Sequence, residues 1–83
     1  MTRGVADKMA EEQDFDSFVM HSLGRHVSGD WGDLCDEDSK LNDQAVIEGS
    51  RILSAYETEV MPKIWIITEW DRSVTTVLFP DEY

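Results

Sequence analysis

The sequence predicts an α+β domain in which two N-terminal helices pack on a three-stranded antiparallel sheet, in the order ααβββ. Apolar residues recur at helical spacing in the first half of the chain, and they alternate with polar residues after Gly49. Only short turns separate the alternating segments. The chain has 83 residues, so we expect one small acidic domain that spans 1–83.

The first predicted helix begins at Asp7 or Asp14 and ends near Arg25. Its apolar stripe is formed by four residues at helical spacing: Phe15, Phe18, Val19 and Leu23. Residues 1–12 show no periodic apolar positions, and we expect them to form a frayed tail or an extension of this helix.

A glycine-rich turn follows, with the sequence GDWGDLCDED at positions 29–38. We expect Trp31 to anchor this turn. The second predicted helix is capped by Asp36, Asp38 or Ser39 and stops at Gly49. Its predicted apolar face consists of Leu41, Ala45 and Val46.

Three strands are predicted near residues 51–57, 63–69 and 74–79, where β-branched and aromatic residues alternate with polar ones. The connections between them, Thr58 to Pro62 and Trp70 to Ser73, are too short for a crossover. The strands should therefore form an antiparallel meander, with the helices on one face.

The charge of the chain is strongly negative and unevenly distributed. Eighteen acids and seven bases give a net charge of −11. Residues 1–50 carry twelve of the acids and four of the bases, whereas residues 51–83 carry six and three. Direct binding of nucleic acid is disfavoured, because a phosphate backbone is bound by lysine and arginine. A macromolecular partner should be basic.

The sequence also predicts a soluble protein of the bacterial cytoplasm that does not bind membranes. Its single cysteine cannot form an intrachain disulfide, and the chain does not open with a signal segment. The longest apolar run, IWII, is far shorter than the roughly 20 residues that a membrane-spanning helix needs.

Metal binding and catalysis are both disfavoured. The acids of the 29–38 segment do not have EF-hand spacing, and Cys35, His21 and His26 do not form a paired zinc motif. Acidic neighbours would oppose a thiolate at Cys35, so we expect this residue to be a small buried apolar side chain. The sequence contains neither a nucleophile elbow nor a phosphate-binding loop. We therefore expect a protein that is not an enzyme and uses no cofactor or metal.

Two interpretations remain open for the hairpin segment TEWDRSVTT. In the first, the Asp71 side chain stabilises the turn and Arg72 pairs across the hairpin or with the acidic half. In the second, Trp70 and Arg72 contact a partner, since both residue types are enriched at binding hot spots. Trp65 is more simply a residue of the sheet.

The chain contains three segments, HVSGDWGDLCDED, LNDQAVIEGSRILSAYE and IWIITEWDRSVTTVLFPDEY. Together they resemble a family of small proteins encoded on bacterial plasmids, integrative elements and phages. The resemblance covers about residues 26–83, and Trp70 stands where alanine is usual in the family. Members are mostly uncharacterised. The mobile-element setting implies a role in countering bacterial defence, as anti-CRISPR and antirestriction proteins do.

The leading hypothesis is a non-enzymatic anti-CRISPR inhibitor, which binds a basic groove of a CRISPR effector subunit or another nucleic-acid-binding protein and excludes DNA. The alternative is an antirestriction protein, or a regulatory or plasmid-maintenance adaptor that binds a basic host protein. The predicted contact residues are Asp30, Trp31, Asp33, Asp36, Glu37 and Asp38, the helix acids Glu11, Glu12, Asp14 and Asp16, and the hairpin residues Trp70 and Arg72.

Overall fold

The structure is a computed structural model that describes all residues from 1 to 83. It is an α+β domain with three α-helices followed by three strands and a short 3₁₀ turn. The elements are α1 (Arg3–Glu11), α2 (Gln13–Val27), α3 (Asp36–Glu48), β1 (Ile52–Tyr56), β2 (Ile64–Thr68), β3 (Thr75–Leu78) and the 3₁₀ turn Pro80–Glu82.

The sheet confirms the predicted antiparallel meander, with the spatial order β1-β2-β3. Tyr56 pairs with Ile64, and Ile66 pairs with Val77, which sets the register of the two ladders. The predicted strands contain the observed ones, each of which is one residue shorter at either end. None of the three helices combines the length and the apolar composition that a membrane span requires.

The prediction of two helices is wrong, because residues 1–12 contribute a separate helix. Thr2 caps α1 by accepting from the backbone N–H of Val5, and Val5 is fully buried in the core. Glu12 then adopts an extended backbone, with φ −129° and ψ 110°, which separates α1 from α2. The spacing of Val5 and Met9 was the available sequence signal, since Met9 packs on the same core.

Helix α2 carries the apolar stripe that the sequence predicts. Phe15 and Val19 are fully buried, and Phe18 and Leu23 are partly buried against the same core. The strand side chains they meet lie on a single face of the sheet, because strand residues alternate between the two faces. These strand residues are Tyr56, Ile64, Ile66 and Val77.

Helix α3 lies along the outer edge of β1, and its predicted apolar face is wrong in two of three positions. Ala45 is buried, whereas Leu41 and Val46 are exposed. Asn42 is buried instead: its Nδ2 donates to the carbonyl of Leu53, and the N–H of Leu53 donates to its Oδ1 at 3.2 Å. The side-chain amide thus replaces the neighbouring strand that an edge strand lacks. The predicted stop at Gly49 is confirmed, with a left-handed φ of 78°.

Candidate functional site

The acidic segment of the sequence is held in place by an ion pair at the end of α2. Arg25 Nε donates to Asp30 Oδ2 at 2.7 Å, and its Nη2 donates to Oδ1 at 3.1 Å. The hydrogen bond from Arg25 holds the pKa of the Asp30 carboxyl below its ordinary value, and the N–H of Gly32 adds to this effect. The charge of Asp30, a predicted contact residue, is therefore neutralised by its ion pair with Arg25.

Trp31 anchors the loop, as predicted. Its side chain is only 7% exposed, and its indole Nε1–H donates to Asp43 Oδ1 at 2.9 Å. Its ring packs edge-on to His26, with centroids 5.8 Å apart, and lies in a small cluster with Ala45 and Ile52. Asp43 was missed as the partner of Trp31, because twelve residues separate the two in the chain.

The loop also closes the outer edge of β1. The N–H of Asp33 donates to the carbonyl of Ala55 at 2.8 Å, and the N–H of Ala55 donates to the carbonyl of Trp31 at 3.3 Å. Gly32 forms the parallel bridge to Ala55, and its φ is 72°. The hydroxyl of Tyr56 donates to the carbonyl of Asp30 at 2.6 Å. These bonds hold the acidic loop on the sheet.

Four exposed carboxylates follow Trp31, and we call them the acidic segment: Asp33, Asp36, Glu37 and Asp38. The last three occupy the first turn of α3. None of the four belongs to any of the chain's ion pairs, which use Asp7, Glu12, Asp30 and Glu69. Carboxylates stabilise a helix N-terminus, so the segment is both locally compatible with α3 and free to contact a partner.

The remaining predicted acids lie at the other end of α2. Asp14 and Asp16 are in its first turn, and Glu12, which precedes it, pairs with Lys8. Glu11 ends α1 and is exposed. A helix of 15 residues is ~20 Å long, so this group is separated by about that distance from the ion pair of Arg25 and Asp30. The predicted acids thus form two clusters.

Each of the two interpretations left open by the sequence fits a different part of the hairpin. The guanidinium of Arg72 donates to backbone carbonyls: to Ser50 at 2.7 Å and to Ala45 at 3.1 Å. Asp71 Oδ1 accepts from the N–H of Ser73 at 3.1 Å and from its hydroxyl. Trp70, by contrast, is 69% exposed. The turn is therefore built by Asp71 and Arg72, while Trp70 presents its indole to solvent.

A buried histidine was missed as the organising group between helix and sheet. His26 Nδ1 lies 2.6 Å from Ser54 Oγ, and its Nε2 lies 2.8 Å from Thr68 Oγ1. Burial lowers the pKa of the imidazole below its ordinary value. Ser54 is fully buried, so its hydroxyl holds the imidazole of His26 in place between α2 and the sheet.

Cys35 corrects the prediction of a buried apolar residue, because its side chain is exposed. It occupies the N-cap of α3, at the point where the loop turns outward from the sheet edge into the helix. Its neighbour Leu34, which packs on the cluster around Trp31, takes the inward position instead. The acids around it do not converge: no group of three or more His, Cys, Asp or Glu side chains has a geometry that could hold a metal ion.

No protein-family model, no curated protein and no solved structure matches this chain. The resemblance to proteins of mobile elements therefore stays a prediction. What can be assigned to the site comes from its own geometry.

Proposed function

We propose that the protein is a non-enzymatic inhibitor of a bacterial defence nucleoprotein complex of the anti-CRISPR kind, which occupies a basic nucleic-acid-binding groove with its acidic segment. The observation that carries this proposal is the exposure of four unpaired carboxylates on a loop and helix start fixed to the sheet. A rigid row of negative charge complements a groove lined by lysine and arginine.

The distribution of the basic residues supports the same proposal. Four of the seven lysines and arginines are in ion pairs with carboxylates, and Arg72 is engaged with carbonyls. Lys40 and Lys63 alone belong to neither group. Because the cations are few and mostly engaged, the long-range field of the molecule is negative and attracts a basic partner.

Charge at the rim of an interface mainly raises the association rate, so affinity requires an anchor. Trp31 is buried and bonded to Asp43, and we assign the anchor to Trp70. The acidic segment begins α3, whereas Arg72 ties the hairpin of Trp70 to its C-terminal end. Asp36 and Ala45 are nine residues apart, ~14 Å along α3, so a groove that receives both the acidic segment and the hairpin runs along this helix.

The proposal is tested by capture and competition. The protein is immobilised and used to capture its partner from lysates of bacteria that contain a CRISPR or a restriction complex, and duplex DNA is then added. We expect DNA to displace the partner. Capture of a restriction enzyme, still displaced by DNA, would assign the antirestriction alternative, and a basic partner retained in excess DNA would show an adaptor.

Two variants that each lose three carboxylate charges show which carboxylates attract the partner. One variant carries Asp36→Asn, Glu37→Gln and Asp38→Asn, and the control carries Glu57→Gln, Glu59→Gln and Asp81→Asn, so that both lose three charges at exposed positions. The first should lower the association rate at low salt by about tenfold, and the control by less than about twofold. Equal effects would show that only the total charge matters.

A further inference from the structure

A pocket of about 410 Å³ opens between the C-terminal end of α2 and the last turns of α3; we call it the α2–α3 pocket. Its floor is formed by Trp31 and Ile52, which are nearly inaccessible, together with the His26 and Thr68 side chains. Its walls are Val27, which is 80% exposed, and Val46, which is 53% exposed. Two valines of a small charged protein thus face solvent across a cavity of the size that binds ligands.

Charges of both signs lie near the pocket: the guanidinium of Arg72 donates to the carbonyls of Ala45 and Ser50, close to Val46, and Asp43 supplies a carboxylate. No Lys, Arg, Asp or Glu lines it. Asp43 lies three residues before Val46, hence on the same side of α3, and it accepts the indole N–H of Trp31 on the pocket floor. It has no ion-pair partner, whereas the nearby Arg25 is neutralised by Asp30. Because Arg25 is paired with Asp30 and Arg72 with carbonyl groups, Asp43 remains free to bind a cation on a ligand whose apolar group enters the pocket.

We propose that the α2–α3 pocket receives an aliphatic side chain of the basic partner, from a segment in which a neighbouring lysine or arginine binds Asp43. This inference rests on the proposed function, since it takes the partner to be basic. It adds a second anchor beside Trp70. The aliphatic group supplies affinity through burial against Trp31, Val27 and Val46, and the cation supplies orientation.

Two blocked peptides test the proposal with a defined probe. One is Lys-Arg-Leu-Arg-Lys, and the other has serine in place of leucine. Binding to the isotope-labelled protein is followed by amide and indole NMR shifts. The leucine peptide should bind about tenfold more tightly, as expected for one buried leucine side chain, and should shift Val27, Val46 and the indole N–H of Trp31. The serine peptide should shift residues near carboxylates, including the indole N–H of Trp31 that is bonded to Asp43, but it should not shift Val27.

Surface variants distinguish the contribution of the pocket to peptide binding from the contribution of the charge of Asp43. The double variant Val27→Asn, Val46→Gln should abolish the preference for the leucine peptide. Val60 is 83% exposed on another loop, so Val60→Gln should preserve that preference. Asp43→Asn retains an acceptor oxygen for Trp31 and should weaken both peptides equally.

Three results would overturn the inference. Equal affinity of the two peptides, or no shift at the pocket, would show that it is not an anchor site. Concentration-dependent shifts of Val27 and Val46 without peptide would show that a second copy occupies it. A basic partner retained in excess DNA would overturn the proposed exclusion of DNA but not the pocket, whereas equal affinity of the two peptides would overturn the pocket but not the exclusion of DNA.

Discussion

The guanidinium of Arg72 caps α3 from a different part of the chain: its Nη2 lies 3.1 Å from the carbonyl oxygen of Ala45. The last turn of α3 has no basic residue of its own, so Arg72 supplies the cation that a helix C-terminus favours. Arg72 adopts a left-handed backbone, with a φ of 62°, to do so. The hairpin and the helix are thereby fixed to each other.

Replacement of Arg72 should destabilise the fold. Arg72→Ala removes the bonds to Ser50 and Ala45, and we expect it to lower the free energy of unfolding by about 1–2 kcal/mol in urea denaturation. Arg72→Gly relieves the left-handed backbone while it removes the same bonds, so it should destabilise less than alanine. An alanine variant as stable as the parent would show that the guanidinium contributes nothing, because alanine keeps the strained backbone and loses only the bonds.

Gly32 and Gly29 form a matched pair for testing the attachment of the loop to β1. Both have positive φ, 72° and 87°, but a Cβ on Gly32 would lie 2.1 Å from the carbonyl oxygen of Ala55, whereas Gly29 has open space around it. Gly29→Ala should cost only the backbone strain, about 1–2 kcal/mol. Gly32→Ala should cost several kcal/mol more or prevent folding, since the loop cannot stay on the strand.

Thermal unfolding of the two variants measures this difference. Amide exchange at Asp33 and Ala55 serves as the local readout, because their N–H groups donate within the bridge. If the two alanine variants are equally stable, the loop is not held on β1.

The buried histidine predicts a pH dependence. Its pKa in the folded protein is below the ordinary value of 6.5, so the unfolded chain takes up a proton first as the pH falls. The contribution of His26 is therefore complete above pH 6.5 and is lost as the pH falls from 6.5 through its folded pKa. Urea denaturation between pH 7.5 and 5 should show this loss relative to His26→Gln. His21→Gln, the same substitution at an exposed position, is the matched control variant.

Glu82 joins the two ends of the chain. Its carboxylate accepts from the hydroxyl of Thr2 at 2.6 Å, from the N–H of Gly4 at 3.3 Å and from the N–H of Phe79 at 2.9 Å. Chiefly the Thr2 hydroxyl lowers the pKa of this carboxyl below 4.5. Its contribution is present above pH 4.5 and is lost as the pH falls through the lowered pKa.

Glu82→Gln should therefore loosen α1. We expect faster amide exchange in α1 and unchanged exchange in α3, which Glu82 does not contact. Asp81→Asn neutralises the adjacent exposed carboxylate and should leave both helices unchanged. Equal acceleration in α1 and α3 would instead indicate global destabilisation.

The spacing of apolar residues along the chain was enough to predict much of the observed fold. The two-residue alternation after Gly49 predicted all three strands to within a residue at either end, and the spacing of Phe15 and Val19 predicted the buried face of α2. These predictions succeeded because neighbours in the chain determine which side chains share a face. The first helix was missed because one short stripe, Val5 and Met9, is a weak signal.

The sequence by itself determined the negative charge and the α+β class, because these depend on composition and on local periodicity. Only the tertiary structure decided which acids remain free, since Arg25 neutralises Asp30 while the acidic segment has no ion-pair partner. It also buried Asn42 and exposed Cys35 and Val46. Such outcomes depend on which groups meet across the fold, where a desolvated donor must find an acceptor wherever packing places one.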